Sequence, residues 1–505
     1  MAVFREKSCK IKAFSRGPLA GGLLAAAMAM VAAPCRAETL ADAIALAYES
    51  NPTLQGQRAS LRALDESYVQ AEAGYRPTAT LQATITNDSN NNTNPYTRSL
   101  PGLSQQIING QSETSGAAIG VTQPIYTGGR VATQISAAEA SILAGRETLR
   151  GSEETVLRDV INAYADVRRD QQIVTILEAD VGLLLAQLVE ARARFAVGDI
   201  TRTDVAETEA RVAAAQAELA SAKAQLANSR AEYASVVGRN PGDLAPEPPL
   251  TGHLPATLDA AFDRAERNSP PIRQADFTEQ SSAAKLAQAK TQTRPTLSLQ
   301  ATVGYTGGNY NVIATPFAHY SHDLNVAAVF SMPIFTGGTT SSQIRQAAET
   351  NNADRIGVEA ARRQTLLAVS QAWNGLIGAR ANVDADNAQV TAANLAYEGS
   401  RQEARVGLRS TLDVLIAEQT LAAAQVALVN ARHDEYVAAA DLLSATGVLY
   451  AQDFAPDVQI YDTKANLKHA LKVWPWAPWS PAVARLDSLD APKIRPIPSP
   501  PPAEP

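Results

Sequence analysis

The 505-residue chain has two cysteines, Cys9 and Cys35, and both fall within its first 37 residues. That stretch has the parts of a secretory signal. Arg5, Lys7, Lys10, Lys12 and Arg16 make a basic start, Leu19 to Ala33 an apolar run, and Cys35-Arg36-Ala37 places small residues where a signal peptidase reads them. The apolar run is short for a transmembrane anchor, and Pro34 before Cys35 fits a lipoprotein cleavage site poorly. Cleavage after Ala37 would leave no cysteine, which excludes disulfides and thiolate chemistry. Aromatic residues are scarce as well, at 5%. Alanine dominates instead, with arginine, glutamine and glutamate well represented, a composition of long packed helices rather than of a large enzyme core. Positive charge is also in deficit. Without the leader, 38 of the 44 basic residues and 50 of the 51 acidic ones remain, a net charge of −12. That balance argues against nucleic acid as a partner. No later apolar run reads as a membrane-spanning helix, so any crossing of a bilayer would fall to strands.

Proline is missing from two long segments, residues 129–197 and 338–406. Each is 69 residues, roughly 100 Å if continuously helical at ~1.5 Å per residue. They are copies of one another. A constant offset of 209 carries Ile125-Tyr126-Thr127-Gly128-Gly129 onto Ile334-Phe335-Thr336-Gly337-Gly338, Tyr164 onto Trp373, Asp204-Val205 onto Asp413-Val414 and Gly238 onto Gly447. No insertion or deletion intervenes, so the chain is an internal duplication. Upstream the offset is 218, with Asn51-Pro52 matching Ser269-Pro270 at the proline and Arg76-Pro77 matching Arg294-Pro295. The first copy therefore carries nine extra residues between Pro77 and Ile125. The organisation read from this is a signal peptide at 1–37, a first repeat at 38–256 and a second at 257–450. A mixed segment follows at 451–473. The tail at 474–505 has ten prolines in 32 residues and is expected to be extended or disordered.

Each repeat opens with helix, from Thr39 to about Gly74 and from Thr257 onward. After each Arg-Pro the pattern changes to period two. Ala79, Leu81, Ala83 and Ile85 alternate with threonine and glutamine, as do Leu297, Leu299, Ala301, Val303 and Tyr305 with serine, glutamine and threonine. Return strands carry Ala117, Ile119 and Val121, and Leu324, Val326, Ala328 and Phe330. The pattern is compatible with half-buried hairpins on a soluble core and with a transmembrane barrel. Four strands cannot close a barrel, so the second reading requires two or more chains. Past Gly198 and Gly407, Val205, Val212, Leu219, Leu226 and Tyr233, and Val414, Leu421, Leu428 and Leu442, fall in a seven-residue frame broken only by Glu435. That repeat predicts coiled-coil hairpins, with Ala417, Ala424, Ala431, Ala438 and Ala445 admitting close neighbours. A narrow apolar seam needs further helices beside it, a second argument for a ring of chains.

No catalytic constellation is present. Gly128-Gly129 and Gly337-Gly338 lack the lysine and spacing of a phosphate loop. His319, His322 and Asp323 superficially resemble metal ligands, but they lie in a predicted strand link without counterpart in the first copy and read more simply as solvated. Asp384 and Asp386 read as helix surface charge. The residues of interest surround the two turns, Val197-Gly198-Asp199 and Val406-Gly407-Leu408, followed by Asp204 and Asp413 near a helix start, where the helix dipole alone would favour an acid.

The tandem repeat, Asn51-Pro52, Arg76-Pro77, the paired Thr-Gly-Gly strand exits and the two Val-Gly turns with Asp-Val six residues on resemble the TolC family of outer-membrane channel-tunnels over nearly the whole chain from Glu38 to about Lys472. The resemblance implies a homotrimer in which four strands per chain make a 12-stranded transmembrane β-barrel, and the helical hairpins a periplasmic tunnel. It implies an outer-membrane exit channel of a Gram-negative bacterium rather than an enzyme, needing no cofactor and no metal. The partners implied are a periplasmic adaptor and an inner-membrane pump of ABC or RND type, with small molecules or proteins as cargo. Dedicated type I protein secretion is the alternative within this fold; a periplasmic coiled-coil adaptor without a pore is the alternative outside it. By position, Asp413 corresponds to an acidic constriction ring, Ile416 stands where the family's best-known member has a second aspartate, and Arg409 and Asp204 match positions linked across neighbouring hairpins. Ala404 replaces an aromatic that supports this latch, so a weaker latch is expected. Val197, Gly198, Asp199, Val406, Gly407 and Leu408 resemble the turns that meet the adaptor.

Overall fold

The computed structural model describes residues 37–90, 110–310, 319–472 and 478–488. The expected leader lies outside the described residues, as do the strand links at 91–109 and 311–318, Trp474, Trp476 and the end of the tail.

Two short helices begin the first repeat, α1 (Leu40–Ser50) and α2 (Pro52–Glu72). Thr39 and Asp42 form a capping box on α1, and the Asn51 side chain accepts from the Thr53 and Leu54 amides at the start of α2. Asn51-Pro52 thus ends one helix and starts the next, because proline has no amide to lose at the first helical position. Strands β1 (Thr78–Asn90) and β2 (Gly110–Tyr126) follow, then the long helix α3 (Arg130–Ala196) and its return α4 (Arg202–Val237). The second repeat gives α5 (Leu258–Asn268), α6 (Pro270–Thr291), β3 (Thr296–Tyr310), β4 (His319–Ser331), α7 (Thr339–Arg405) and α8 (Thr411–Ala445). Helices α9 (Ala451–Phe454), α10 (Ala465–Ala470) and α11 (Ser480–Asp487) complete the chain. Both long helices are 67 residues, as the matched proline-free segments predict. An 18-residue window in α3 and another in α8 is apolar enough to cross a membrane by composition, contrary to expectation. Each lies inside a longer helix of a hairpin, and 22% of each window is buried within the chain.

The four strands form one antiparallel sheet in the order β1-β2-β3-β4. Register aligns Leu81 with Ile119, Ile119 with Val303, and Val303 with Leu324. One face is therefore apolar from edge to edge, and the other carries Thr80, Gly120, Thr302 and Asn325. The apolar face is uncovered: Leu81 is 75% exposed and Leu324 68%. The outer sides of β1 and β4 have no strand partner among the described residues. His319 and Asp323, expected in a link, belong to β4, and the His322 ring lies 6.4 Å from that of Tyr305. The strands are longer than their apolar stretches, because hydrogen bonding continues where alternation fades.

The main core lies where α1 and α5 pack against the middle of the hairpins. There Tyr164 is fully buried, its hydroxyl donating to the Glu38 and Ala245 carbonyls at 3.0 and 2.6 Å. The two copies are not equally packed. Helix α3 buries 24 residues, and α7, of the same length, buries eight. Between them α6 packs on both, whereas α2 covers only α3. The far side of α7 has no such cover, and Ile356, Ile377 and Leu395 are exposed.

The tail departs from expectation. Instead of being extended throughout, it forms α11, whose Asp487 is 2% exposed at the end of β2. Asp487 accepts from the Thr127 and Gly129 amides at 2.9 Å each and from the Thr127 hydroxyl at 2.7 Å. Tyr75 donates to it at 3.2 Å, and burial beside this carboxylate pushes the Tyr75 hydroxyl pKa up. The donors lie at the start of α3, where helical amides have no partner within the helix.

Candidate gate at the hairpin tips

Each hairpin turns through the same geometry. Val197 and Val406 end their helices, and Gly198 and Gly407 follow with φ of 80° and 79°, the left-handed region that glycine enters without a Cβ penalty. The amides of Asp199 and Leu408 then reach back to the Arg194 and Glu403 carbonyls at 3.0 and 2.9 Å. Val197, Val406 and Leu408 protrude, 81, 71 and 78% exposed. An apolar knob at the end of each hairpin is held by backbone bonds and free to meet another surface.

Beyond the turns both candidate acids are caps. The Asp204 carboxylate accepts from the Thr201 amide and hydroxyl at 2.8 and 2.9 Å, and its own amide donates to Thr201 Oγ1 at 3.3 Å. Asp413 repeats this with Ser410, at 3.1, 2.8 and 3.3 Å. These bonds hold both carboxyl groups below the usual aspartate range: the Thr201 amide and then its hydroxyl for Asp204, the Ser410 hydroxyl and then its amide for Asp413. Both acids therefore carry charge at the tip while starting a helix.

Within one chain Arg409 and Asp204 do not pair. The Arg409 guanidinium donates through Nε to Glu403 Oε2 at 2.6 Å, across its own turn, and this bond raises the Arg409 pKa. Glu403 was not singled out from sequence, although the duplication contained a signal. Its counterpart at the 209 offset is Arg194, which pairs with Asp199 at 2.6 Å. Each tip thus carries a charged strap across its turn with the signs reversed, although only one end is equivalent: Asp199 aligns with Leu408 and Arg409 with Ile200. Ile416 is 47% exposed beside Asp413, Glu403 and Arg409, along a groove of about 550 Å³ on the outside of the α7–α8 pair.

Between the hairpins, Val181, Leu184, Leu188, Val212, Ala215 and Leu415 make a small separate core. Above it toward the tips lies a cleft of about 200 Å³ lined by Ala186, Glu190, Ile200, Tyr397, Ala404 and Val414. The small side chain at 404 leaves that space open. Glu418, 3% exposed, sits in the same seam and accepts from Gln187 Nε2 at 2.6 Å.

Two matched coiled-coil hairpins bearing an open four-stranded sheet, with apolar knobs and charged straps at the far end, define the class of tunnel-forming membrane proteins. The profile of the family described as "Outer membrane efflux protein" matches residues 43–239 and 261–448, one block per repeat. The outer membrane efflux protein BepC of Brucella suis is 32% identical over 468 residues, covering 93% of this chain and 97% of BepC. The alkaline protease secretion protein AprF of Pseudomonas aeruginosa is 28% identical over 62% of this chain and 66% of AprF. The fold matches the Campylobacter jejuni CmeC outer membrane channel with a TM-score of 0.69 at 15% identity, over 86% of this chain and 89% of that one. The chain belongs to the outer membrane efflux protein family, the TolC-type channels of the Gram-negative outer membrane. Channels of this family are not enzymes; they act as trimers with periplasmic adaptors and inner-membrane pumps.

Proposed function

We propose that this chain is the exit duct of a three-part efflux machine, passively conducting small molecules from an inner-membrane pump through the periplasm to the outside. Three copies close twelve strands into a barrel, apolar face to lipid, and six hairpins into a tunnel. The observation that carries this reading is the unequal burial of two equal helices, 24 residues on α3 against eight on α7. In the first copy the Thr127-Gly129 junction is buried and Arg294 donates to the Gly128 carbonyl at 3.2 Å. In the second, Ile334 and Phe335 are 96 and 88% exposed. The residue matching Arg294 is Arg76, and on a neighbouring copy it would stand over Gly337 as Arg294 stands over Gly128. The unpaired outer edges of β1 and β4 would meet in the same contact.

The tips make the gate. Asp204, Arg409, Asp413 and Ile416 line the constriction, and Val197, Gly198, Asp199, Val406, Gly407 and Leu408 receive the adaptor. In the closed ring Arg409 exchanges Glu403 for Asp204 of an adjacent hairpin. Exposed ion pairs are individually weak, so adaptor docking can open the ring without a large barrier. The similarity to AprF favours a second cargo class, secreted protein, through the same duct. The reading is tested by outer-membrane extracts, which should contain a heat-resistant trimer; a soluble periplasmic monomer would refute it. Arg409→Ser should raise single-channel conductance in planar bilayers, and unchanged conductance would remove Arg409 from the gate. Loss of drug resistance, as opposed to loss of secreted proteins, in a deletion strain separates the two cargo classes.

A further inference from the structure

Helix α11 belongs to neither repeat and has no part in the gate, yet it is firmly seated. Asp487 fills the amide cradle at the start of α3, and Val483 is 6% exposed in a cluster with Tyr75 and Val131. This seat fixes which side of the helix faces outward. Trp479 at its start is 43% exposed and Leu486 is 55% exposed. They are seven residues apart and so share one side, with Arg485 exposed next to Leu486.

The Trp479 indole N–H donates to Gln123 Oε1 at 3.0 Å. Gln123 is two residues beyond Val121 on β2 and stands opposite Leu299 on β3, so it belongs to the apolar face of the sheet and marks the end nearest the helices. The ring is thereby placed where the apolar face stops and the periplasmic helices begin. Tryptophan suits such a border, because its ring is apolar while its N–H requires a partner.

We propose that α11 is a membrane-interface anchor, lying on the periplasmic leaflet of the outer membrane with Trp479 and Leu486 at the boundary of headgroups and acyl chains and Arg485 toward lipid phosphate. This rests on the reading of the sheet as a barrel wall. A phospholipid surface is the occupant the placement favours over a second copy of the chain. Helix α11 contacts β2, α3 and the Ala73–Tyr75 turn, and Trp479 is bonded to Gln123 on β2, an inner strand, whereas a neighbouring copy would meet the sheet at the outer edges of β1 and β4. Beyond Gln123 the same face continues with the exposed Val121 and Ile119. The anchor would set the height of the barrel in the bilayer, since its seat couples the membrane border directly to the first turn of α3.

The chain has four tryptophans, so Trp373→Phe, Trp474→Phe and Trp476→Phe together leave Trp479 as the sole indole. This variant, as a heat-resistant trimer in phosphatidylethanolamine–phosphatidylglycerol liposomes, is mixed with phosphatidylcholine brominated either high on the acyl chain or near its end. Trp479 should lose most of its emission to the shallow quencher, less to the deep one and little to aqueous iodide. Quenching by iodide alone, or by none of the three, would overturn the proposal, the second result placing the ring against a neighbouring copy. Leu324→Trp, in a chain whose own tryptophans are all replaced by phenylalanine, reports on the sheet itself. If Trp at 324 is quenched by lipid and Trp479 is not, the anchor alone fails; if neither is quenched, the barrel reading fails and the anchor with it. Should Trp373→Phe prevent trimer formation, the same contrast is read as the difference between the Trp373/Trp479 protein and its Trp479→Phe derivative.

Discussion

Glu418 sits in the seam between the two hairpins, and its proton should govern how tightly that seam closes. The side chain leaves α8 toward α3, is 3% exposed and takes one hydrogen bond, from Gln187. Its other oxygen has no hydrogen-bond partner among the described residues. Burial, the largest effect, raises its pKa to about 7; the Gln187 bond lowers it, Asp180 on α3 raises it and Arg401 on α7 lowers it again. Tyr397 faces the same space from α7, and its own pKa is raised by burial and then by Glu418. The rise from 4.5 to about 7 corresponds to roughly 3 kcal/mol per chain. The sign follows from the direction of the shift. A carboxyl group whose pKa is raised by packing binds its proton more tightly when packed, so the stabilisation is complete below about pH 4.5 and is lost as pH rises through about 7. Glu418→Gln imitates the protonated group at nearly the same volume and can still bond Gln187. The wild-type channel should therefore show looser hairpins at about pH 8 than at about pH 5, seen as rising conductance in planar bilayers and a falling thermal midpoint of the helical signal. The Glu418→Gln protein should keep the low-pH behaviour throughout, with its largest advantage, up to about 3 kcal/mol, at the alkaline end. A variant that follows the wild-type pH curve in both measurements would refute the assignment of the titrating group and of the seam as the moving part.

Two further substitutions probe the tips. Ala404→Tyr should fill the cleft of about 200 Å³ between α3 and the second hairpin, lowering conductance and raising the thermal midpoint; higher conductance would mean that the ring strains the seam instead of closing it. Gly407→Ala places a Cβ in open space, so its cost is purely the left-handed backbone, about 1 kcal/mol. It should weaken capture of the cognate adaptor with little change in trimer yield, and normal adaptor capture would remove the second turn from the docking surface.

Much of this architecture was legible because its determinants are local. The seven-residue frame that includes Val212, Leu226 and Tyr233 identifies the buried side of α4, and all three are buried. The alternation around Leu81 and Val303 identifies one apolar sheet face, and register brings it together across four strands. At the tips, Thr201 with Asp204 and Ser410 with Asp413, each pair three residues apart, form caps of a kind that sequence can carry, because a cap involves neighbours in sequence. Arg409 was legible only as a charge. Its partner Glu403 lies across a turn, and one extended arginine can reach several acids, so only the folded tip distinguishes Glu403 from Asp204 within a chain.

By itself, then, the order of residues determined the duplication, the hairpin lengths, the left-handed glycine turns and the two-faced strands, since each follows from spacing along a helix or strand. The tertiary structure alone decided that α7 stays uncovered where its twin α3 is buried, that Glu418 turns into the seam, and that a proline-rich tail sends Asp487 back to Thr127, 360 residues away. Nothing local marks such contacts. Their free energy comes from burying and pairing groups that only the closed fold brings together.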